Sequence, residues 1–303
     1  MFKLKGIIPP MVTPLDREKK VDEASTKRLV TFMLEAGVDG LFLLGTMGEG
    51  LALAAREKYR LVEIVLSEVR GRCPVIASAS DPAWEETLAN VKELERLGVD
   101  AVVVLQPAFF KLLSGEDVEK YFFAVAEATE LPVVIYNNPS LTGNEIPLEN
   151  MQRLMASPQF AGVNSSGDFD YLISLLALRN ETRREFSVLQ GNEAALAPAL
   201  LAGADGLVPG IGSLATRFVK KIYAAVRAGE KEEALDLQQK MNSFFDGIYG
   251  PDVSDWLRGH KEALAYLGII DCPETVYYQP LSAERKARVH AAVERWKDFL
   301  VGD

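Results

Sequence analysis

Two kinds of segment alternate along this chain. Short unbroken apolar runs, LFLL at 41–44, VVVL at 102–105 and VVI at 133–135, read as strands buried on both faces. Longer stretches such as KEEALDLQQKMNSFF at 231–245 and AERKARVHAAVERWKDFL at 283–300 repeat their apolar residues at helical spacing. The junctions between the two kinds recur. EAGVDGLFLLG at 35–45, RLGVDAVVVLQP at 96–107 and LAGADGLVPG at 201–210 each run Gly, a small apolar residue, Asp, then a β run. Glycine suits the left-handed position that ends a helix, so each junction predicts a helix exit followed at once by a strand.

Further units fill the gaps: CPVIASAS before a helix near 83–97, LPVVIYNNP before one near 147–156, FAGVNSS before 168–179 and FSVLQGN before 193–202. With an opening strand in GIIPPMVTP the count reaches eight, and strict β/α alternation at this length predicts a closed (β/α)₈ TIM barrel, an α/β fold, with an open doubly wound sheet as the alternative. From about 213 onward the periodicity is helical only. That predicts a barrel over 1–228 and a C-terminal helical bundle over 229–303 packed on it, with no Ser/Gly-rich linker between them.

Composition narrows the function classes. Hydrophobic residues make up 48% and charged ones 25% of the 303, and no apolar run approaches the roughly 20 residues that a membrane helix needs, so no membrane partner is expected. Pro9 and Pro10 interrupt the N-terminal stretch before an apolar signal segment can form, which points to a cytoplasmic protein. A net charge of −10 argues against a nucleic-acid partner. Cys73 and Cys272 match no metal or redox spacing and are expected as buried free thiols. The histidines, His260 and His290, both fall on C-terminal helices, so no metal site and no cofactor is expected. Lysines beyond Lys3 and Lys5 fall on helices or loops, where a solvated surface charge is the ordinary outcome; Lys111 lies nearest to a strand end.

In a barrel of this kind chemistry sits where the strands end. The second ends in Gly45-Thr46-Met47-Gly48-Glu49-Gly50, a turn whose backbone N–H groups suit a carboxylate, with the Thr46 hydroxyl as a further donor or a proton relay. The fifth ends in Tyr136-Asn137-Asn138-Pro139, which aims a phenol at the mouth or caps the core with it. The sixth ends in Asn164-Ser165-Ser166-Gly167-Asp168 and the seventh in Gln190-Gly191-Asn192-Glu193, where helix capping alone accounts for Asp168 and Asn192.

Together, in this order and spacing, these segments resemble the dihydrodipicolinate synthase/N-acetylneuraminate lyase family, from Thr13-Pro14 to Gly203-Ala204-Asp205-Gly206. The resemblance implies (β/α)₈ lyases, usually tetrameric, that make or break bonds in 2-oxo acids through a Schiff base between pyruvate and a lysine on the sixth strand. It implies Tyr136 and Thr46 as catalytic positions. It also implies Gly45, Met47, Gly48, Glu49, Leu141, Asn164, Ser165, Gly191, Asn192 and Val208 around a small 2-oxo acid or sugar acid, in a homo-oligomer that is a tetramer or a dimer. The match breaks at the lysine. Counting forward from Tyr136 puts Asn164 there, whereas counting back from Asp168 puts Val163 there. Met47 stands where the family has a second threonine, and Phe109 or Phe110 where it has the tyrosine that enters a neighbouring subunit's site. Leu141 stands where the synthases carry an arginine, which disfavours lysine biosynthesis. Two function classes follow: a lyase working without an imine, and a catalytically silent binding or regulatory protein; a purely structural role is a third.

Overall fold

The computed structural model describes residues 2–182 and 184–302. Eight parallel strands form one sheet: β1 (Gly6–Ile7), β2 (Leu41–Leu43), β3 (Val75–Ser78), β4 (Ala101–Leu105), β5 (Val133–Asn137), β6 (Phe160–Ser165), β7 (Ser187–Gln190) and β8 (Gly206–Leu207). They pair in the order β1-β8-β7-β6-β5-β4-β3-β2. The last gap closes just past β1, where Pro10 bridges Phe42 in parallel and the Met11 N–H donates to the Phe42 carbonyl at 2.8 Å. The result is a (β/α)₈ TIM barrel with helices outside it and more helices after β8.

The recurring Gly-x-Asp junction has a physical cause. Gly37, Gly98 and Gly203 all adopt positive φ, of 82°, 89° and 103°, a region closed to most side chains. Two residues on, Asp39 accepts from the Ile7 N–H at 2.9 Å, Asp100 from Val75 at 2.8 Å and Asp205 from Val188 at 2.9 Å. Each of these aspartates also donates its own N–H back to the same residue's carbonyl, at 2.8, 2.8 and 2.9 Å. The motif is therefore a two-bond clamp that fixes an incoming strand against its neighbour, used at three of the eight strands.

Side chains divide between two cores. Leu4, Ile8, Phe42, Ile76, Val103 and Leu189 fill the barrel interior, while residues of alternate parity face the helices. Behind the barrel, the helices Lys231–Tyr249, Trp256–Tyr266 and Ala283–Arg295 pack together. Asp255, 1% exposed, helps join them by binding Arg258, Arg285 and Arg288 at 2.9, 2.9 and 2.6 Å. This layer carries Trp256, Tyr277 and Tyr278 to the rim of the barrel mouth.

Candidate functional site

Strand pairing decides which residue of β6 faces inward. Tyr136 lies opposite Asn164, and Asn164 opposite Leu189. Tyr136 and Leu189 belong to the barrel interior whereas Val163 belongs to the outer core. Asn164 is therefore the inward-facing residue of that strand, at the level of the phenol. It is 4% exposed, and its Oδ1 has no hydrogen-bond partner.

Around it lies a polar cavity of about 280 Å³, walled by Thr46, Met47, Tyr136, Asn138, Asn164 and Glu193 among others. The Tyr136 hydroxyl sits 3.3 Å from Thr46 Oγ1 and accepts from Asn138 Nδ2 at 3.0 Å; Ser140 in turn donates to Asn138 Oδ1 at 2.6 Å. The tyrosine ring is held edge-on against Phe42, with centroids 6.1 Å apart. A second, apolar cavity of about 220 Å³ shares Thr46, Tyr136 and Trp256 with the first and continues towards Leu141, Tyr277 and Tyr278.

The turn after β2 is built tightly. Leu44 and Glu49 adopt positive φ at 60° and 54°, and a Cβ on Gly50 would meet the Leu44 carbonyl oxygen at 1.9 Å, so only glycine fits there. The Thr13 hydroxyl donates to the Gly48 carbonyl at 2.6 Å. Glu49 lines the apolar cavity, but both oxygens of its carboxylate are engaged by the protein. It binds Lys261 at 2.5 Å through one oxygen and the Val276 N–H at 2.7 Å through the other. Lys261 is fully buried and also donates to the Glu274 carbonyl at 2.6 Å. Burial pulls its pKa below the ordinary lysine value, and the Glu49 carboxylate pulls it back up. The expectation of solvated lysines fails at Lys261, and at Lys58, 5% exposed and bound to Asp81 at 3.0 Å, because each meets a carboxylate from another part of the chain, buried at Glu49 and half-buried at Asp81.

The other expected residues divide. Gly45 and Leu141 line the apolar cavity; Met47, Gly191, Asn192 and Val208 line the polar one. Gly48 is packed behind the turn, against Leu44 and Met11. Ser165 faces away from the interior, as the alternation of β6 requires, and Ser166 takes its place on the cavity wall. The Asn192 side chain caps the following turn, accepting from the Ala194 N–H at 3.0 Å. Phe109 and Phe110, 81% and 74% exposed, pack edge to face against each other. Cys73 and Cys272 are free but only half-buried. Lys111 lies beside Gly143 and lines neither cavity. Among the described residues no three His, Cys, Asp or Glu side chains converge as a metal ion would require, and no helix is long and apolar enough to cross a membrane.

Of the wall residues outside the predicted set, Asn138 and Glu193 bear most on the chemistry. Asn138 was visible only as part of a strand-end motif. Glu193 stood next to a helix cap, where a carboxylate ordinarily serves the helix; in the fold its Oε1 accepts from the Ile211 N–H at 3.1 Å, past β8. Burial raises its pKa, against the lowering effect of backbone N–H groups, those of Ile211 and Gly210 among them. A carboxylate placed one residue past a strand-end Gly-Asn is the signal that could have marked it.

The Dihydrodipicolinate synthetase family model matches residues 3–296. An uncharacterized DapA-like lyase of Halobacterium salinarum is 36% identical over 266 residues, covering 88% of this chain and 85% of its own. An N-acetylneuraminate lyase of Citrobacter koseri is 30% identical over 275 residues, covering 89% of both. The crystal structure of YagE, a prophage protein of the dihydrodipicolinic acid synthase family from E. coli K12 in complex with pyruvate, superposes with a TM-score of 0.91 at 28% identity, covering 98% of this chain and 99% of that one. With the barrel and the ordered series of strand-end motifs, these matches establish that the chain belongs to the dihydrodipicolinate synthetase family.

Proposed function

We propose that the barrel mouth binds a small 2-oxo acid or sugar acid without forming an imine, with Asn164 in the place of the family's lysine. The observation that carries this is the inward-facing Asn164 opposite Tyr136, in a cavity with no lysine among its lining residues. An imine requires a nucleophilic amine at the reacting carbon. An amide cannot supply one, but it hydrogen-bonds a ketone oxygen. The carboxylate falls to the turn after β2. Its Glu49 and Gly50 N–H groups already bond the Thr46 and Gly45 carbonyls, so recognition rests on the N–H groups earlier in the turn and on Thr46. The relative that holds pyruvate and the N-acetylneuraminate lyase support the ligand class. The same reading includes a homo-oligomer, because Phe109 and Phe110 are apolar surface that a second copy would cover.

Pyruvate is expected to bind in the millimolar range, about −4 kcal/mol, as a few hydrogen bonds without a covalent link would give. Tyr136→Phe should weaken it about three- to tenfold, in keeping with the loss of one hydroxyl, while the melting temperature without ligand stays near wild type. Calorimetry and melting curves across a panel of 2-oxo acids check this; absence of both heat and thermal protection sinks the ligand assignment. Borohydride added with pyruvate should leave the intact mass unchanged, whereas gain of a reduced pyruvyl group would identify an imine.

A further inference from the structure

We propose that this mouth enolises its 2-oxo acid directly, with Glu193 taking a proton from the carbon next to the ketone while Asn164 and Tyr136 hold the enolate oxygen. The inference rests on the ligand assignment above and adds a reaction to it. Three observations carry it.

The first is Asn164. A buried polar atom without a partner costs about 1–3 kcal/mol, and folded proteins keep few of them. Asn164 Oδ1 is such an atom, in the wall of the polar cavity. A half-turn of the amide exchanges its two ends, so the group can offer an N–H to an oxyanion or its carbonyl to an enol hydroxyl.

The second is the Tyr136 hydroxyl, on the neighbouring strand at the same level as Asn164. It accepts from Asn138 and lies 3.3 Å from Thr46. Either hydroxyl can be the donor of that contact; with Thr46 donating, the Tyr136 proton is free for a ligand oxygen, and the Asn138 bond fixes where the hydroxyl stands.

The third is elimination. Among the residues lining the polar cavity there is no lysine, arginine or histidine, and Glu193 supplies the one carboxylate. The residue is half-buried and lines the cavity that the ligand would enter. One of its oxygens is held by the Ile211 N–H at 3.1 Å, which fixes the carboxylate and leaves acceptor capacity for a proton. Burial raises its pKa above the ordinary carboxylate value, the direction that strengthens a carboxylate as a base.

The step balances without an oxidant, a reductant or a co-reactant. The C3–H bond breaks, its electron pair becomes the C2–C3 double bond, and the ketone π pair moves onto the C2 oxygen. The proton goes to Glu193. The acid then exchanges with solvent and returns a proton to C3, so the net reaction is exchange of the C3 hydrogens with water.

The test follows the methyl signal of pyruvate by proton NMR in D₂O, with binding measured by calorimetry on the same preparations. Wild-type protein should exchange the methyl protons faster than buffer does. Glu193→Gln, which keeps the shape of the side chain, should slow the protein-dependent rate about 100-fold or more while still binding pyruvate. Glu193→Asp should retain part of the rate, and Asn164→Ala should lower the rate more than the affinity. Binding without exchange, or exchange in Glu193→Gln at the wild-type rate, overturns the enolisation and leaves the ligand assignment standing. Exchange abolished by prior treatment with pyruvate and borohydride overturns both in favour of an imine, and absence of binding overturns both.

Discussion

Lys261→Met is expected to lower the stability of the folded chain by about 3–5 kcal/mol, the ordinary consequence of removing one partner from a buried ion pair. The substitution leaves the Glu49 carboxylate, 8% exposed, with the Val276 N–H as its remaining partner. At about 2.1 cal/mol/K of unfolding entropy per residue, the loss corresponds to a fall in Tm of roughly 5–8 °C for 303 residues. The damage should reach the mouth, because Glu49 holds together the turn after β2, the helix Trp256–Tyr266 and the segment leading to Tyr277 and Tyr278. Adding Glu49→Gln to Lys261→Met should recover part of the loss, since an unpaired buried amide costs less than an unpaired buried charge. Calorimetric melting of the two single variants and the double variant checks this; strictly additive losses would mean that the two side chains do not act as a pair.

Acid should weaken the fold through His260. Its ring is fully buried, with Nε2 2.9 Å from the Ser213 hydroxyl and Nδ1 3.0 Å from that of Tyr249. Burial, and then the neighbouring Lys261 charge, push its pKa down to about 3. In an unfolded chain a histidine takes up its proton near pH 6.5. The unfolded state therefore binds more protons between pH 6.5 and 3. The stability contributed by the neutral ring is fully present above 6.5 and is lost as the pH falls through that window, at about 1.4 kcal/mol per pH unit. By pH 4 the loss reaches about 3 kcal/mol. Urea titrations of wild type and His260→Gln at pH 7 and pH 4 isolate this term from the titration of carboxylates. The wild type should lose about 3 kcal/mol more than the variant; equal losses would show that the ring is protonated in the fold.

Both predictions turn on contacts that the sequence hid, whereas the barrel itself was legible. A Gly-x-Asp junction is read locally, because a left-handed glycine ends a helix whatever surrounds it, and three copies of the junction mark the start of three strands. What each aspartate does was not legible, since Ile7, Val75 and Val188 become its neighbours only when strands pair. The choice between Asn164 and Val163 was undecidable by counting, because the segment after the strand is a residue short and the two counts differ. Alternation along β6 and its pairing with β5 turn Asn164 into the barrel and Val163 out of it, which is the observation behind the proposed assignment. Lys261 and Glu49 lie 212 residues apart, and a lysine on a helix looks solvated until the fold supplies a buried carboxylate. Glu193 reads as the start of a helix, and only the closure of β7 against β8 brings it over the same cavity as Tyr136.

The imine-free site can be tested directly by a crystal structure of the protein soaked in pyruvate. The account predicts an intact 2-oxo acid in the cavity between Thr46 and Glu193. Its carboxylate should lie on the turn after β2, and its ketone oxygen within hydrogen-bond distance of both the Asn164 amide and the Tyr136 hydroxyl, with no density joining it to the protein. Continuous density from the ketone carbon to a lysine Nζ, or a 2-oxo acid bound elsewhere with this mouth left empty, would contradict it.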